Sequence, residues 1–405
     1  MGPSTTTLPV RAWLFKYRIV IVVVLICLAQ LLFLLAIDPV AHLKSDSADY
    51  WQRAMGRFMG FDTAPTQYEH HPPAYHILLS WLIHLSKLFG LYENRLSFVL
   101  TMQIMLNAAA LYCLFKIIEG FTKTIWAVSL VLIYGLFFPG LYLQSFILSE
   151  NMATPLFILA MYGIVFKAYD WRHLGAAALS FGLAITIRPQ YVLYSLPMLY
   201  WLWRGQNQKL RAALVLAGGI SIVLILGAFE VNRISGGKVN GLANSGGTTF
   251  FMAHCPQKVL LYTSEENRGY YVYKNSHPSR GLGSEPYVLP RPPYEQGYYY
   301  GEGLKCLFSS FSQPFVNLGY LWFNFSSAPG IVMLWLLLVS LAALASRFLR
   351  KRAFVNALWW QVVLTFITTY FFVEHFRYLH AMMVPAYLLV AMLFSSSERP
   401  ASTVC

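Results

Sequence analysis

The chain has 405 residues, of which 57% are hydrophobic and only 12% are charged. A soluble domain carries about 25% charged residues, and long apolar runs cannot all be hidden in a water-soluble core of this size. The composition predicts an integral membrane protein and excludes a disordered chain, a small disulfide scaffold and an ordinary cytosolic enzyme. Cytoplasmic loops collect basic residues, so the net charge of +13 requires no nucleic-acid partner.

The first apolar run, residues 17 to 37, follows Arg11, Lys16 and Arg18. It has the length of a membrane span and lacks an A-x-A cleavage pattern, so it predicts a retained helix with a cytoplasmic N-terminus. About ten transmembrane helices are predicted in all. The other spans are residues 94–118, 125–143, 150–168, 174–187, 191–203, 210–231, 327–346, 353–372 and 379–394.

The short connections on the predicted cytoplasmic side are basic, as at Lys116 and Lys123. Two longer polar stretches, residues 38–93 and 232–326, then fall on the outer side, where we expect any chemistry. This division predicts an N-terminal catalytic module over 1–231, which includes the first outer loop. An extracytoplasmic cap over 232–326 and C-terminal helices with a short cytoplasmic tail over 327–405 complete the chain.

Within the first outer loop, residues 49–60 have an amphipathic pattern suited to the membrane surface, and residues 74–90 are predicted to be interfacial or partly buried. The second outer stretch is rich in Gly, Pro and Tyr and predicts a lid or small cap. It contains Cys255 and Cys306. On an oxidising side of the membrane these two residues could form a bridge, or they could remain two free thiols.

The densest group of ionisable residues lies in the first outer loop. Asp46 and Asp49 are three residues apart, and Asp46 precedes Tyr50 by four. A helix that begins near Ser45 would therefore place these side chains on one face. A carboxylate in this place could act as a general base or bind a cation. The alternative is that Ser45 and Asp46 only cap the helix.

The same loop contains His70 and His71, followed by Pro72 and Pro73. The prolines favour a rigid extended segment that could direct the histidines at a site. One hypothesis is a divalent cation held by His70, His71 and Asp49. The other is a pair of solvated loop histidines, because no third ligand with suitable spacing is evident.

Two charged residues lie at the ends of apolar segments. Glu150 opens the fourth predicted span beside Ser149, and Arg188 lies between two spans, just before Pro189. Glu150 either faces a polar cavity or is an interfacial acid favoured by the helix dipole, with Ser149 as the cap of the helix. Arg188 presents a planar fork that suits phosphate oxygens, or it forms a structural ion pair with an acid such as Glu150.

A compact turn at residues 373–380 precedes the final span and contains His375, Arg377 and His380. Arg377 lies on the outer side, where topology does not explain a basic residue, and it could supply a second phosphate contact. The alternative for the two histidines is that they extend to the membrane interface.

These motifs resemble those of the GT-C glycosyltransferases of the protein mannosyltransferase and aminoarabinose transferase type, which use polyprenyl-phosphate sugars. The family pattern D-E-x-x-Y appears here as DSADY, from Asp46 to Tyr50, and its basic residue before Pro-Pro appears as His71-Pro72-Pro73. Ser47 stands where the family often has a second acid, and Asp49 could compensate. The resemblance covers most of residues 10–395.

Three further motifs match the family in order and in their placement on the outer side. These are the acid in LSENM, the basic residue before proline in IRPQ, and RYL before the last span, which contain Glu150, Arg188 and Arg377. His71 departs from the family, in which many relatives have Lys or Arg at this position. The resemblance implies a GT-C bundle of helices. It also implies a location in the inner membrane of a bacterium, with the active site facing the periplasm.

The resemblance also implies the chemistry. Asp46 would act as general base on an acceptor hydroxyl, Glu150 would orient the acceptor or a cation, and the 232–326 loop would close over the sugar. Arg188, Arg377 and His71 would stabilise the departing lipid phosphate. Tyr50, His70 and His375 would contact substrate. The acceptor could be a lipid, a glycan or a protein, and the donor sugar is not identified by the sequence.

Two other functions compete with this interpretation. A lipid or solute transporter, or flippase, could use Asp46, Glu150 and Arg188 as a substrate or proton pathway. The acids, however, collect at one face of the membrane and not near its midplane. A noncatalytic scaffold with a GT-C-like fold is the third possibility, and Ser47 favours it while the retained acids disfavour it.

Overall fold

The structure is a computed structural model that describes most helical segments of the chain. The described residues are 8–36, 43, 46–60, 72–136, 144–167, 170–203, 207–234, 250–251, 254, 259–261, 271–273, 286–288, 296–309, 338, 341–342, 353–372 and 380–393.

Helices dominate these residues. In chain order they are α1 (Leu8–Ala36), α2 (Asp46–Phe58), α3 (Pro73–Leu88), α4 (Arg95–Phe121), α5 (Thr124–Leu136), α6 (Glu150–Lys167), α7 (Trp171–Ile187), α8 (Val192–Trp203), α9 (Asn207–Ile234), α10 (Gln296–Ser309), α11 (Ala353–Phe372) and α12 (His380–Leu393). A 3-10 turn, Pro189–Tyr191, joins α7 to α8.

Three segments are long and apolar enough to cross a membrane: Tyr17–Ala36 in α1, Arg95–Phe121 in α4 and Arg211–Arg233 in α9. About 20 residues of helix span the hydrocarbon core, because each residue adds about 1.5 Å. Shorter apolar helices lie at other predicted spans, among them α5, α6 and α12. The prediction of a helical fold with apolar segments long enough to span a membrane is confirmed. The bundle of ten crossings stays a prediction, and the span at 327–346 lies almost wholly outside the described residues.

The centre of the fold is built around α6, which packs against both α4 and α7, while α7 also packs against α9. Small residues allow these close approaches. A side chain added at Gly163 of α6 would come within 2.9 Å of the Ala177 Cβ of α7. The Gly219 position of α9 similarly leaves only 2.6 Å to the Ala178 Cβ. Larger residues at either glycine would push the helices apart.

Polar side chains link apolar helices at a few points within the bundle. Asn107 of α4 donates to the Gln30 Oε1 of α1 at 3.4 Å. Tyr194 of α8 and Thr365 of α11 share a hydrogen bond between their hydroxyls, and Gln361 donates to the Tyr194 carbonyl at 3.4 Å. In lipid such bonds add to van der Waals packing as the forces that hold helices together.

The first outer loop contains two helices that pack on each other. On α2, Tyr50 and Ala54 are buried while Gln52 is exposed, as expected for an amphipathic helix. The turn that follows α2 contains Gly60, whose φ of 70° lies in the left-handed region that favours glycine. The helix α3 has 16 residues, fewer than a span requires.

A small antiparallel sheet lies in the second outer stretch, with strand order β1-β2-β3. Its strands are Val259–Leu261, Tyr271–Tyr273 and Pro286–Val288. The sequence analysis predicts only loops in this stretch, and the structure adds these three short strands to the helical fold. Three-residue strands separated by longer, mostly polar segments give too short an apolar alternation to be recognised from the sequence.

Helix α10 follows the sheet, and its Cys306 is disulfide-bonded. Cys27 and Cys113 are free thiols. The predicted partner, Cys255, lies outside the described residues, so the pairing of Cys255 with Cys306 stays a prediction.

Candidate functional site

A buried polar cluster surrounds the first residue of α6. It joins side chains from α2, the start of α6 and the end of α7. Tyr50, Ser149, Glu150 and Arg188 are its central members, and their exposed fractions are 4%, 2%, 3% and 7%. Groups so far from water must bond to one another or to a ligand, because an unpaired buried charge is costly.

Glu150 and Arg188 form an ion pair in this cluster, through Oε1 and Nη1. Arg188 follows the last residue of α7 in an extended conformation, and Pro189 starts the 3-10 turn directly after it. Because α7 ends just before this proline, the Arg188 guanidinium lies beside the N-terminus of α6. The ion pair considered in the sequence analysis is present, whereas a contact between Arg188 and phosphate stays a prediction.

Ser149 contacts the other three central members of the cluster. Arg188 Nη1 donates to its Oγ at 3.1 Å, and the Ser149 hydroxyl lies 3.1 Å from the Glu150 Oε2, to which it donates. The Tyr50 hydroxyl lies 3.4 Å from the same Oγ. Through Ser149, the ion pair is connected to α2, the helix that begins at Asp46.

A second layer of hydrogen bonds supports Tyr50 and the turn before α6. The Tyr50 ring meets the Tyr75 ring edge-on, with centroids 4.7 Å apart. The Tyr75 hydroxyl donates to Gln103 Oε1 at 2.7 Å, and Gln103 Nε2 donates to the Phe146 carbonyl at 3.2 Å. Asn151 donates to the same carbonyl at 2.8 Å. The cluster is thus fixed to α3 and α4 as well as to α2.

Tyr75 remains a neutral phenol in these surroundings. Burial raises its pKa well above the ordinary value, and the negative charges of Tyr50, when ionised, and of Glu150 raise it further. Its hydroxyl is therefore a hydrogen-bond donor to Gln103 throughout the physiological pH range.

The structure describes the side chain of only one of the two aspartates in the DSADY segment. Asp46 is the first residue of α2, one turn before Tyr50, and its side chain lies outside the part of the chain that the structure describes. The Arg53 Nε of the next turn donates a bifurcated hydrogen bond to both carboxylate oxygens of Asp49, at 3.0 and 2.9 Å. This pairing gives Asp49 a structural role that does not depend on catalysis.

The remaining predicted site residues, His70, His71, His375 and Arg377, lie outside the described residues. The described residues contain no group of three or more His, Cys, Asp or Glu that could hold a metal ion. The proposed cation site at Asp49, His70 and His71 includes two residues outside this range and stays a hypothesis.

Sequence reasoning missed several members of the cluster. Ser149 was considered only as a helix cap, although it contacts Tyr50, Glu150 and Arg188. Tyr75 and Gln103 were not considered. A polar residue within an apolar helix, such as Gln103 in α4, is the signal that could have identified them.

Comparison with protein-family models finds none that matches this chain, and a search of curated proteins finds no match. A functional assignment therefore depends on the motifs and on the geometry of the cluster.

Proposed function

We propose that this protein is a membrane glycosyltransferase that transfers a sugar from a polyprenyl-phosphate donor to an acceptor hydroxyl on the extracytoplasmic side. The observation that supports it best is the hydrogen-bonded path from Tyr50 through Ser149 to the buried Glu150–Arg188 pair. This path couples the helix that begins at the proposed base to the residues proposed to handle the leaving phosphate.

In the proposed reaction, the Asp46 carboxylate removes the proton of the acceptor hydroxyl. The acceptor oxygen attacks the anomeric carbon, and the bond from this carbon to the phosphate oxygen breaks with its electron pair. The leaving group is polyprenyl phosphate, and the anomeric configuration is inverted by the single displacement. Arg188, Arg377 and His71 stabilise the negative charge that develops on the phosphate.

Glu150 has a defined part in this scheme. With Ser149 it holds the Arg188 guanidinium in a fixed orientation, as the pair does in the structure. A guanidinium has five N–H donors, so a carboxylate and a phosphate can bind to it together. A prearranged cation avoids the cost of reorganising an arginine during the reaction.

The proposed location is the inner membrane of a bacterium, with the site facing the periplasm. The disulfide at Cys306 supports an outward position for α10, since disulfides persist in oxidising compartments. The lipid tail of the donor would lie among the helices, and the outer stretch over 232–326 would cover the sugar. The acceptor is a lipid, a glycan or a protein.

The test uses the purified full chain in nanodiscs with a panel of polyprenyl-phosphate sugars, and it measures release of polyprenyl phosphate. We expect turnover of one donor, lost in Asp46→Asn while donor binding is retained. Asp170→Asn is the matched control, because Asp170 caps α7 at the opposite end of that helix from Arg188. Parallel reactions with EDTA and with added Mg²⁺ or Mn²⁺ test the cation hypothesis.

Absence of turnover for every donor, with membrane extract present as acceptor source, would contradict the proposal. Turnover that persists in Asp46→Asn would remove Asp46 as the base. Movement of a lipid-linked sugar across a liposome bilayer without chemical change would instead identify a transporter.

A further inference from the structure

A second polar cleft lies at the opposite end of α6 from Glu150. It is lined by residues from α1, α4, α5 and α6 and has a volume of about 610 Å³. Phe166 of its wall is 16 residues after Glu150, which corresponds to about 24 Å along the helix axis. The basic connections of the sequence place this end on the cytoplasmic side. The cleft is therefore separate from the proposed transferase site.

Two cations meet one carboxylate in the cleft. Arg18 Nη2 and Lys116 Nζ each lie 3.0 Å from an oxygen of Glu119. The Thr124 hydroxyl, which also accepts from Arg18 at 3.2 Å, lies 3.1 Å from Glu119. The charged lining residues thus carry a net positive charge. Lys123, which is exposed in the turn between α4 and α5, is a further cation adjacent in sequence to the lining residue Thr124.

The cations are accessible and have apolar neighbours. The exposed side-chain fractions are 26% for Arg18 and 37% for Lys116. Tyr162 and Phe166 form an aromatic wall, with ring centroids 5.4 Å apart. A partly open pocket that combines cations with an apolar wall at a membrane surface suits a phosphate linked to acyl chains.

We propose that this cleft binds the phosphate headgroup of an anionic phospholipid from the cytoplasmic leaflet. The phosphate contacts Lys116 and Arg18, and the glycerol and the first acyl carbons lie against Tyr162 and Phe166. A soluble phosphate ester shares the charge but not the acyl chain, so the aromatic wall favours the lipid. This proposal does not depend on the transferase activity.

The experiment measures lipid binding to the full-length protein in neutral detergent by native mass spectrometry. Phosphatidylglycerol is the anionic probe, phosphatidylcholine the zwitterionic one, and glycerol 3-phosphate the soluble competitor. We expect preferential binding of phosphatidylglycerol, reduced about five-fold by Lys116→Gln, since one basic residue near a membrane surface contributes an effect of about that size. Glycerol 3-phosphate at equal concentration should not compete.

Lys305→Gln is the matched control, because Lys305 forms the same i, i+3 pair with Glu302 on α10, in the outer stretch. It should leave binding unchanged. Lys116→Arg keeps the charge and should retain most of the affinity, which separates a charge effect from damage to the fold. Unchanged affinity in Lys116→Gln, equal loss in Lys305→Gln, equal binding of both lipids, or full competition by glycerol 3-phosphate would each overturn the proposal.

Discussion

The Glu150–Arg188 pair is almost completely removed from solvent, with side-chain exposures of 3% and 8%. Removing one partner leaves the other as an uncompensated buried charge. We therefore expect Glu150→Gln or Arg188→Gln alone to lower the free energy of unfolding by about 3–5 kcal/mol. The double Gln variant contains neither charge and should recover much of that loss. Denaturant unfolding in detergent measures all three variants.

Additive losses in the double variant would show that the two residues do not act as a pair. The same variants separate stability from function. If Arg188 contacts the leaving phosphate, the double variant should fold and still lack turnover, since the guanidinium is absent. Restored turnover in the double variant would show that the pair has only a structural role.

Tyr50 provides the direct bond between α2 and Ser149. Tyr50→Phe removes this buried bond of 3.4 Å but keeps the ring that packs against Tyr75. The expected loss of stability is about 1 kcal/mol, the usual contribution of one hydrogen bond. Thermal unfolding and donor turnover measure the effect, with Tyr92→Phe as a control outside the cluster. An equal decrease in both variants would contradict a specific role for the Tyr50 hydroxyl.

At the scale of elements, α2 is attached at both ends. Its first turns reach the α6 cluster through Tyr50, and its last turn reaches α9 through Arg57, whose Nη2 lies 3.2 Å from Glu230 Oε1. Glu230 also binds Arg233 at 2.7 Å. The Arg57 contact joins the surface helix that carries the proposed base to a membrane-spanning segment.

Breaking the contact between Arg57 and Glu230 should increase local opening of α2 and change the stability of the whole protein only slightly. Glu230→Gln removes the partly exposed ion pairs with Arg57 and Arg233, so the change in the free energy of unfolding should stay at or below about 1 kcal/mol. Amide exchange in residues 46–58 should nevertheless increase, because the helix loses one of its attachments. Exchange mass spectrometry measures this, with Glu302→Gln as the control. Unchanged exchange over α2 would contradict the attachment.

The elements differ in how much of their structure could be predicted from the sequence. Apolar runs predicted α1, α4 and α9, because length and composition are local properties of a span. The amphipathic pattern also located α2. The contact of Tyr50 with Ser149 joins positions 99 residues apart, and it depends on how α2 packs. The Asp49–Arg53 pair has the i, i+4 spacing of a helical ion pair and could be predicted from the sequence, whereas a catalytic role for Asp49 stays a prediction.

At the scale of the whole molecule, the two polar sites lie at opposite ends of α6. The acid and arginine at its N-terminus and the basic cleft at its C-terminus would face opposite sides of the membrane. The basic connections and the disulfide at Cys306 favour the same orientation, by independent chemical arguments. Function on the outer side therefore depends on a topology that can be measured directly.

Cysteine labelling with a membrane-impermeant maleimide tests this orientation. In cells made permeable only at an outer membrane, we expect Cys306 to react after mild reduction, since α10 is proposed to lie on the outer side. A new cysteine from Lys123→Cys, in the turn between α4 and α5, should react only after the inner membrane is opened. For the Lys123→Cys experiment all five native cysteines, Cys27, Cys113, Cys255, Cys306 and Cys405, are replaced by Ala to remove background, whereas Cys255 and Cys306 are kept for the Cys306 experiment. Labelling of Lys123→Cys before the inner membrane is opened would place Glu150 on the cytoplasmic side and exclude transfer on the outer face.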